Sequence, residues 1–355
     1  MSTAHAIRSV CLVRLSALGD VVLVLPLIRA LQAWSPGVRI TWVIGRGAHA
    51  LVAGLADEGV EFVVIEKPRG PRDYLALRRR LADRDFDALL CLQASWRANW
   101  LYPCIRARRK IGYSADRARD LQRFFVRERI EGSAPHLVDG FLQFAEKLGM
   151  PRPGLVHWNL PVQKAAAEWA ASALPPGPFI ALSPCASKAE RDWPLERYCE
   201  LVRALHARGL GPVVLLGGNS ERERLAAASI SVGASAPVTN LMGSTSLPQL
   251  VAALSRCRLL ISPDTGAVHM ANALGRPVVG LYAVAPASRT GPYSHTEYCV
   301  DVFELGVRSL LGKDPSRVPW SQRVHDPRAM GLISVAAVLE KIQKVTERDD
   351  VMARL

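Results

Sequence analysis

The stretch LLISPDTGAVHMANALGRPVVGLY, residues 259–282, predicts a strand, a tight turn, a helix and a second strand in one unbroken unit. Residues 259–262 and 278–282 are apolar runs of strand length, and residues 267–274 have helical composition. The turn at residues 263–266 therefore places the free N–H groups of a helix start at the carboxyl end of a strand. These groups and the helix dipole favour an anion, and we expect a diphosphate.

Three side chains add chemistry to this turn. If the helix starts near Gly266, His269 lies about one turn inside it, on the side near Asp264 and Thr265. Taken singly, Asp264 could be only a helix N-cap, and His269 a half-buried histidine with satisfied hydrogen bonds. Together, the three residues favour one shared ligand.

Apolar runs of strand length alternate with helical stretches along the whole chain, which predicts parallel sheets. The sequence LPPGP at residues 174–178 contains three prolines and is the expected linker. A chain of 355 residues with 49% hydrophobic and 22% charged content is expected to form two domains, with ligands at the carboxyl ends of the strands. The predicted strands cover residues 9–15, 39–44, 62–65, 88–92, 179–183, 212–216, 259–262 and 278–282.

The composition also bears on the location of the protein. Arg14, Asp20, Pro26 and Arg29 interrupt the apolar stretch near the N-terminus, and no apolar run approaches the thickness of a bilayer. The seven cysteines form no C-x-x-C pair and have no histidine at metal spacing. We therefore expect reduced thiols and a protein of the cytoplasm.

Three segments together resemble one family. DTGAVHMANALGRPVVGLY, followed by SRTGPY, is similar to the carboxyl-terminal signature of glycosyltransferase family 9, the heptosyltransferases that build the inner core of bacterial lipopolysaccharide. VRLSALGDVVLVLPLIRAL at residues 13–31 resembles the amino-terminal signature of that family, and SPCASKAERDWPLERYCEL at residues 183–201 resembles the segment between them. The segments follow the family's order, and the resemblance covers nearly the whole chain.

The resemblance implies a GT-B fold, in which two facing doubly wound Rossmann-like α/β domains enclose a cleft. Residues 1–173 would bind the acceptor and residues 179–330 the nucleotide sugar, and a final helix at about 334–348 would pack back on the first domain. The implied reaction is inverting transfer of L-glycero-D-manno-heptose from ADP-heptose to the Kdo sugar of lipid A. Neither a metal nor a cofactor is implied. Transfer to a heptose already on the core is the alternative within the family.

Basic residues are concentrated in the first half of the chain. The formal net charge is +13, and residues 67–129 contain 17 lysines and arginines against seven aspartates and glutamates, an excess of ten. Such a field suits a polyanion or an anionic membrane surface. Nucleic acid is not expected, because no zinc-finger, RNP-like or helix-turn-helix pattern is present. Under the family resemblance we expect Kdo-lipid A as acceptor and peripheral binding to the inner leaflet of the cytoplasmic membrane, with acceptor contacts from Arg78, Arg79, Arg80, Arg117 and Arg119.

Asp20 follows the first predicted strand in LSALGD, just before a helix that is expected to start near Val21. Its structural role would be that of a helix N-cap. The matching position in the family implies a general base that removes the proton from the acceptor hydroxyl.

The remaining donor contacts are carried over from the family. Lys188 and Arg191 would supply positive charge to the diphosphate, with Arg191 standing where the family more often has lysine. Ser187 falls where the family has a hydroxyl residue near the phosphates. Glu221 matches an acid near the donor sugar or ribose, although Glu223 is close enough to leave that assignment open.

Two other classes of protein were weighed. A nicotinamide or flavin oxidoreductase would also use doubly wound domains, but no G-x-G-x-x-G follows the first strand. A non-catalytic scaffold would be expected to lack the polar residues of one turn or the other, and this chain has Asp20, Asp264, Thr265 and His269. The sequence therefore favours the transferase.

Overall fold

The computed structural model describes residues 7–132 and 134–352. The chain divides into two compact units, unit 1 up to Pro161 and unit 2 from Val162. The sequence placed the end of the first domain at residue 173, so the boundary is earlier than predicted.

Unit 1 contains one sheet of six parallel strands in the order β3-β2-β1-β4-β5-β6. Its strands are β1 (Ser9–Val13), β2 (Arg39–Gly45), β3 (Val60–Ile65), β4 (Phe86–Leu90), β5 (Ala107–Gly112) and β6 (Glu128–Arg129). Its helices are α1 (Leu18–Leu23), α2 (Leu25–Trp34), α3 (Arg46–Val52), α4 (Pro71–Arg80), α5 (Trp96–Asn99) and α6 (Leu137–Leu148), with 3-10 turns at Ala53–Glu58, Tyr102–Cys104 and Gln122–Phe124.

Unit 2 also contains six parallel strands, in the order β12-β11-β10-β7-β8-β9. They are β7 (Ile180–Leu182), β8 (Val213–Leu215), β9 (Val238–Asn240), β10 (Leu259–Pro263), β11 (Val278–Tyr282) and β12 (Val300–Asp301). The helices are α7 (Lys164–Ala173), α8 (Leu195–Ala207), α9 (Glu221–Gly233), α10 (Leu247–Arg256), α11 (Gly266–Ala273), α12 (Ala287–Thr290), α13 (Phe303–Leu311) and α14 (Val335–Met352), with 3-10 turns at Ala189–Arg191, Thr296–Tyr298, Pro315–Arg317 and Met330–Leu332.

The two sheets share one topology, because numbering the strands within each unit gives the order 3-2-1-4-5-6 in both. This is the order of a doubly wound Rossmann-like fold, in which ligands bind where the strand order reverses. The reversal falls between β1 and β4 in unit 1 and between β7 and β10 in unit 2. The predicted fold class is confirmed, and the topology marks one ligand-binding edge in each unit.

All eight predicted strands are present, because each is an apolar run of strand length. Every residue of β1, β10 and β11 is buried. The four missed strands are β5, β6, β9 and β12. β5 carries the charged run Arg108-Arg109-Lys110, and Arg109 is accommodated by a two-pronged ion pair with Glu128 of β6. The remaining three strands are only two or three residues long.

The final helix, α14, corrects one prediction. The family resemblance implied that this helix packs back on the first domain, but its residues Val335, Val338, Ile342 and Val345 are buried in the hydrophobic core of unit 2. This core is formed around the strands of the second sheet, and it supplies the apolar surface that the helix covers. The helix therefore belongs to unit 2.

The helix α7 corrects a second part of the predicted domain division, the C-terminal end of the first domain. Its residues were predicted to close the first domain, but they pack against α10 of unit 2. Arg256 fixes this packing, since its Nη1 donates to the Ala170 carbonyl over 2.7 Å. The prolines of residues 174–178 thus lie inside unit 2 rather than between the units.

The placement of α14 predicts a stability change. Truncating the fully buried Ile342 to alanine should lower the free energy of unfolding of unit 2 by about 2 to 5 kcal/mol, because the change leaves a cavity in its core. The exchange rates of the β7 and β10 backbone amides with solvent deuterium measure this loss of stability. The neighbouring exposed residue provides the control as Gln343→Ala. Unchanged protection of β7 and β10 in Ile342→Ala would contradict the placement.

Candidate active site

The ligand-binding edge of unit 1 carries Asp20. Asp20 is the third residue of α1, and Ala17 is the N-cap, so the predicted N-cap role of Asp20 is wrong. The helix starts earlier than expected, and Asp20 Oδ2 instead accepts the N–H of the N-cap residue Ala17 over 3.3 Å. The guanidinium of Arg14 forms an ion pair with the same oxygen. These contacts fix the carboxylate by Oδ2 and leave Oδ1 available to a ligand.

Arg14 and the strand β4 hold this loop in place. Arg14 Nη1 donates to the Leu92 carbonyl over 2.6 Å, and the side chain of Gln93 accepts the Leu15 N–H over 2.8 Å. Leu92 and Gln93 follow β4, the neighbour of β1 across the reversal of strand order. Burial acts to lower the pKa of Arg14, but the Asp20 carboxylate, together with Tyr113 and Tyr102, outweighs burial and the pKa is raised. Arg14 is therefore a permanent cation beside Asp20.

In unit 2, the turn after β10 has the predicted form. The helix α11 begins at Gly266, and Thr265 rather than Asp264 is its N-cap. The Thr265 hydroxyl lies 2.9 Å from the Ser262 hydroxyl, which donates to the Ser183 carbonyl over 3.0 Å. Since the Thr265 side chain does not cap the helix, the N–H groups of the first turn stay open to an anion.

Asp264 has a different role from the predicted N-cap. Its Oδ2 accepts a hydrogen bond from Arg191 Nη1 over 2.9 Å and another from the Thr290 hydroxyl over 3.3 Å. The structure thus brings Arg191, from the 3-10 turn before α8, to the turn that starts α11. His269 is buried one turn into the helix, as the sequence predicted.

The segment that carries Ser187 and Lys188 is fixed by two residues that the sequence analysis missed. Asp192 Oδ1 accepts the Ala186 N–H over 2.6 Å. The guanidinium of Arg222, from the first turn of α9, contacts both Asp192 Oδ2 and the Ala186 carbonyl. Ser187 and Lys188 themselves are exposed. The available signal was an acid directly between Arg191 and the Trp-Pro pair, whereas the prediction for that segment named Ser187, Lys188 and Arg191.

The two candidate acids after β8 have separate environments. Glu223 forms a capping box with Ser220, and its carboxylate accepts the Gly218 N–H over 2.7 Å and the Ser220 N–H over 3.0 Å. Burial acts to raise the pKa of Glu223, but these hydrogen bonds outweigh it and the pKa is lowered. Glu221 is exposed and lines a cavity of about 460 Å³, together with Pro184, Cys185, Asp192, Trp193, Pro194, Leu195, Arg222, Leu225 and Ala226.

The five arginines predicted to bind the acceptor differ in burial. Arg78, Arg79 and Arg80 are exposed on the last turn of α4, where Arg80 donates to the Val64 carbonyl of β3 over 2.8 Å. Arg117 is buried, with its guanidinium on the Ala134 carbonyl. Arg119 is exposed. The structure therefore gives Arg117 a role within the fold and leaves the other four accessible.

A second cavity lies at the opposite edge of the unit 2 sheet. It measures about 470 Å³ and is lined by residues that precede β7, β10 and β11. Its arginines contact the fold, since Arg256 donates to the Ala170 carbonyl and Arg348 donates to the Tyr298 hydroxyl over 3.2 Å. The lining also carries the imidazole of His295 and the guanidinium groups of Arg256, Arg258, Arg276 and Arg348.

Asp87, in the D-x-D stretch Asp85-Phe86-Asp87, has a role within the fold. Asp87 Oδ2 accepts the N–H groups of Arg8 and Ser9 over 2.9 and 3.0 Å, which ties β4 to the start of β1. Across residues 7–132 and 134–352, no three His, Cys, Asp or Glu side chains are grouped to hold a metal ion. Over the same residues, no helix is long and apolar enough to span a bilayer.

Two Rossmann-like units, each with polar and charged side chains at the reversal of its strand order, agree with the GT-B fold of glycosyltransferases that the family resemblance implies. The sequence model of glycosyltransferase family 9 (heptosyltransferase) matches residues 74–310. The lipopolysaccharide core heptosyltransferase OpsX of Haemophilus influenzae is 33% identical over 343 residues, 96% of this chain and 98% of the relative. The chain belongs to glycosyltransferase family 9, as the resemblance of its motifs predicted.

Solved structures agree in fold. The glycosyl transferase family 9 structure from Veillonella parvula superposes with a TM-score of 0.76 at 20% identity, covering 95% of this chain and 97% of that one. The Escherichia coli heptosyltransferase WaaC with ADP-2-deoxy-2-fluoro heptose gives a TM-score of 0.69 at 21% identity, covering 95% and 99%. At this identity, the likeness extends to the fold alone.

The Arg222 contacts predict an effect on ligand binding. Replacing Arg222 with methionine removes the clamp on Asp192 and Ala186, so the segment of Ser187 and Lys188 should lose its fixed conformation. We expect the Kd for a nucleoside diphosphate to rise about tenfold, the equivalent of one charged hydrogen bond. Calorimetric titration measures it. Arg224→Met, which alters an exposed arginine on the same helix, is the control and should bind normally. Equal affinity in both variants would contradict the role of Arg222.

Proposed function

We propose that this glycosyltransferase transfers L-glycero-D-manno-heptose from ADP-heptose to the inner core of lipopolysaccharide. The observation that carries the proposal is the convergence of Arg191, Asp264 and Thr265 on the open first turn of α11. That arrangement suits a diphosphate. The relative OpsX supports the pathway, and the WaaC structure with a fluorinated ADP-heptose supports the donor.

The donor diphosphate would bind at the reversal of strand order in unit 2. The N–H groups of Thr265 and Gly266 would donate to its oxygens, and Arg191 and Lys188 would neutralise its charge. Because Asp264 holds Arg191 Nη1, the opposite side of the guanidinium remains for a phosphate. Ser187 would donate a further hydrogen bond. The buried His269 would support the turn from within α11.

Glu221 is the acid we assign to the ribose or the sugar of the donor. It lines the cavity beside α9, whereas the carboxylate of Glu223 is engaged in its capping box. A carboxylate accepts hydrogen bonds from sugar hydroxyls without competing for the phosphates.

Asp20 would act as the general base. Its carboxylate takes the proton of the acceptor hydroxyl, whose oxygen forms a bond to the anomeric carbon of heptose. The bond from that carbon to the β-phosphate oxygen breaks, and its electron pair leaves with ADP. Attack opposite the leaving group inverts the anomeric centre. The cationic groups of unit 2 would stabilise the departing diphosphate, and we propose that no metal ion is needed.

The acceptor we propose is the Kdo sugar of lipid A, with a heptose already on the core as the alternative. Exposed Arg78, Arg79, Arg80 and Arg119 would attract its phosphates and carboxylates. Such an acceptor is embedded in a bilayer, so the enzyme would work in the cytoplasm, bound peripherally to the inner membrane.

The base assignment makes a direct prediction. Asp20→Asn should lower the transfer rate by about 10²- to 10⁴-fold, because the amide cannot take up the proton. Donor affinity should stay unchanged, since the donor contacts come from other residues, and this also reports correct folding. The exposed Asp57 provides the matched control as Asp57→Asn. Full turnover by Asp20→Asn would remove Asp20 as the base.

The acceptor assignment is tested with two purified lipids. We expect the protein and ADP-heptose to add the mass of one heptose to Kdo-lipid A, as measured by mass spectrometry. Addition only to a core that already bears heptose would move the enzyme to a later step of the pathway. No addition to either lipid would contradict the proposed function.

A further inference from the structure

Unit 1 exposes four large apolar side chains in two segments, α5 with the residue after it and the stretch between β5 and β6. Trp96, Trp100, Leu121 and Phe124 are between 45% and 68% exposed. We call these residues the aromatic patch. A cluster of exposed apolar side chains marks a surface that binds an apolar partner.

Contacts tie the two tryptophans to each other and α5 to the segment of Leu121 and Phe124. The Trp96 and Trp100 rings pack edge to face with centroids 5.8 Å apart. Asn99, between them, is buried and donates to the Asp120 carbonyl over 2.7 Å, and the Asp120 carboxylate accepts the Trp96 N–H over 2.8 Å. These bonds fix α5 against the segment that carries Leu121 and Phe124.

The backbone of that segment is held in an uncommon conformation. Asp120 and Leu121 have φ angles of 51° and 64°, in the left-handed region that a bulky residue such as leucine rarely adopts. The conformation leaves Leu121 about half exposed. An exposed apolar side chain on a residue with an unfavourable backbone conformation does not stabilise the isolated fold. We therefore attribute the exposed position of Leu121 to an interaction with a binding partner.

Exposed arginines neighbour the residues of the aromatic patch in the chain. Arg97, Arg119, Arg123 and Arg127 are exposed, and the Arg123 guanidinium lies 4.8 Å from the centre of the Phe124 ring. Other basic residues of the stretch serve the fold, such as Lys110, which donates to the Tyr102 carbonyl over 2.7 Å. The excess positive charge of unit 1 is therefore partly concentrated beside its exposed rings.

The patch is connected to the loop of Asp20. Gln93, which accepts the Leu15 N–H, also donates to the Ser95 hydroxyl over 3.3 Å, and α5 begins at the next residue, Trp96. The hydrogen bonds of Gln93 therefore link the start of the aromatic patch to the loop that carries the proposed base.

We propose that the aromatic patch and its four arginines dock unit 1 on an anionic lipid bilayer. Trp and Phe side chains enter the interface between headgroups and acyl chains, and each arginine gains from the negative surface potential. Leu121 and Phe124 favour a bilayer over nucleic acid, since an exposed leucine gains from hydrocarbon and has no ring on which a base can stack. The inference rests on the proposed function, because a lipid acceptor has to be reached at a membrane.

The apolar part is tested with vesicles in a sedimentation assay. The full-length protein should bind phosphatidylcholine vesicles that contain phosphatidylglycerol, and bind pure phosphatidylcholine poorly. The double variant Trp96→Ser/Phe124→Ser should bind the anionic vesicles at least about tenfold more weakly, given the apolar area withdrawn from lipid. Leu155→Ser, at an exposed leucine of unit 1 outside the patch, should bind normally. Equal binding by the double variant would overturn the proposal.

The contribution of the arginines is tested by comparing two double variants in the same vesicle assay. Arg123→Gln/Arg127→Gln should weaken vesicle binding by about fivefold per arginine, and added salt should erase the difference. Arg308→Gln/Arg317→Gln removes the same charge from exposed positions of unit 2 and should bind like the parent protein. Equal losses in both variants would mean that only net charge matters, and would overturn the patch as the docking surface.

A water-soluble acceptor separates this inference from the proposed function. With a Kdo saccharide that lacks acyl chains, the patch variants should transfer heptose at the parental rate. Transfer to the saccharide with no vesicle binding by the parent protein would overturn the docking surface and keep the enzyme. Vesicle binding through the patch without transfer would overturn the proposed function alone. Binding of a single-stranded oligonucleotide in place of vesicles would assign the patch to nucleic acid and overturn the proposal.

Discussion

Parallel pairing between strands that are not consecutive in the chain is the constraint on which the rest of this structure depends. β1 pairs with β4 and β7 with β10, so residues far apart in sequence end at the same edge of a sheet. The helices that follow β1 and β10 then start side by side with the loops that follow β4 and β7. The Ser262 hydroxyl shows the result directly, since it joins the end of β10 to the Ser183 carbonyl after β7.

Much of the charge at these two edges is neutralised before any ligand arrives. Arg14 pairs with Asp20, Arg191 with Asp264, and Arg222 with Asp192. The Arg191 and Arg222 pairs each join two separate segments, and the Arg14 pair holds Asp20 to the end of β1, so the carboxylates and guanidinium groups are already oriented when a substrate binds. Because these groups are already oriented, less conformational entropy is lost on binding. Each charge then also stabilises the transition state more strongly. The free oxygen of Asp20 and the open side of Arg191 are what remains for chemistry.

The sequence predicted the features that depend on local pattern. Apolar runs identified the central strands, and the turn chemistry identified the start of α11 at Gly266. It failed where distant contacts decide: β5 is a strand because Glu128 pairs with Arg109, and α14 belongs to unit 2 because that core has room for Ile342. Asp192 and Arg222 were missed for the same reason, since their roles exist only when α9 lies beside the segment after β7.

The most direct test of the account is a crystal structure of the protein with ADP. We predict that the diphosphate lies at the first turn of α11, with its oxygens on the N–H groups of Thr265 and Gly266 and on the Arg191 guanidinium. Adenosine should extend toward Glu221. A diphosphate bound instead in the arginine-lined cavity at the amino ends of β7, β10 and β11 would contradict the assignment of the donor site, and with it the role given to the turn of Asp264.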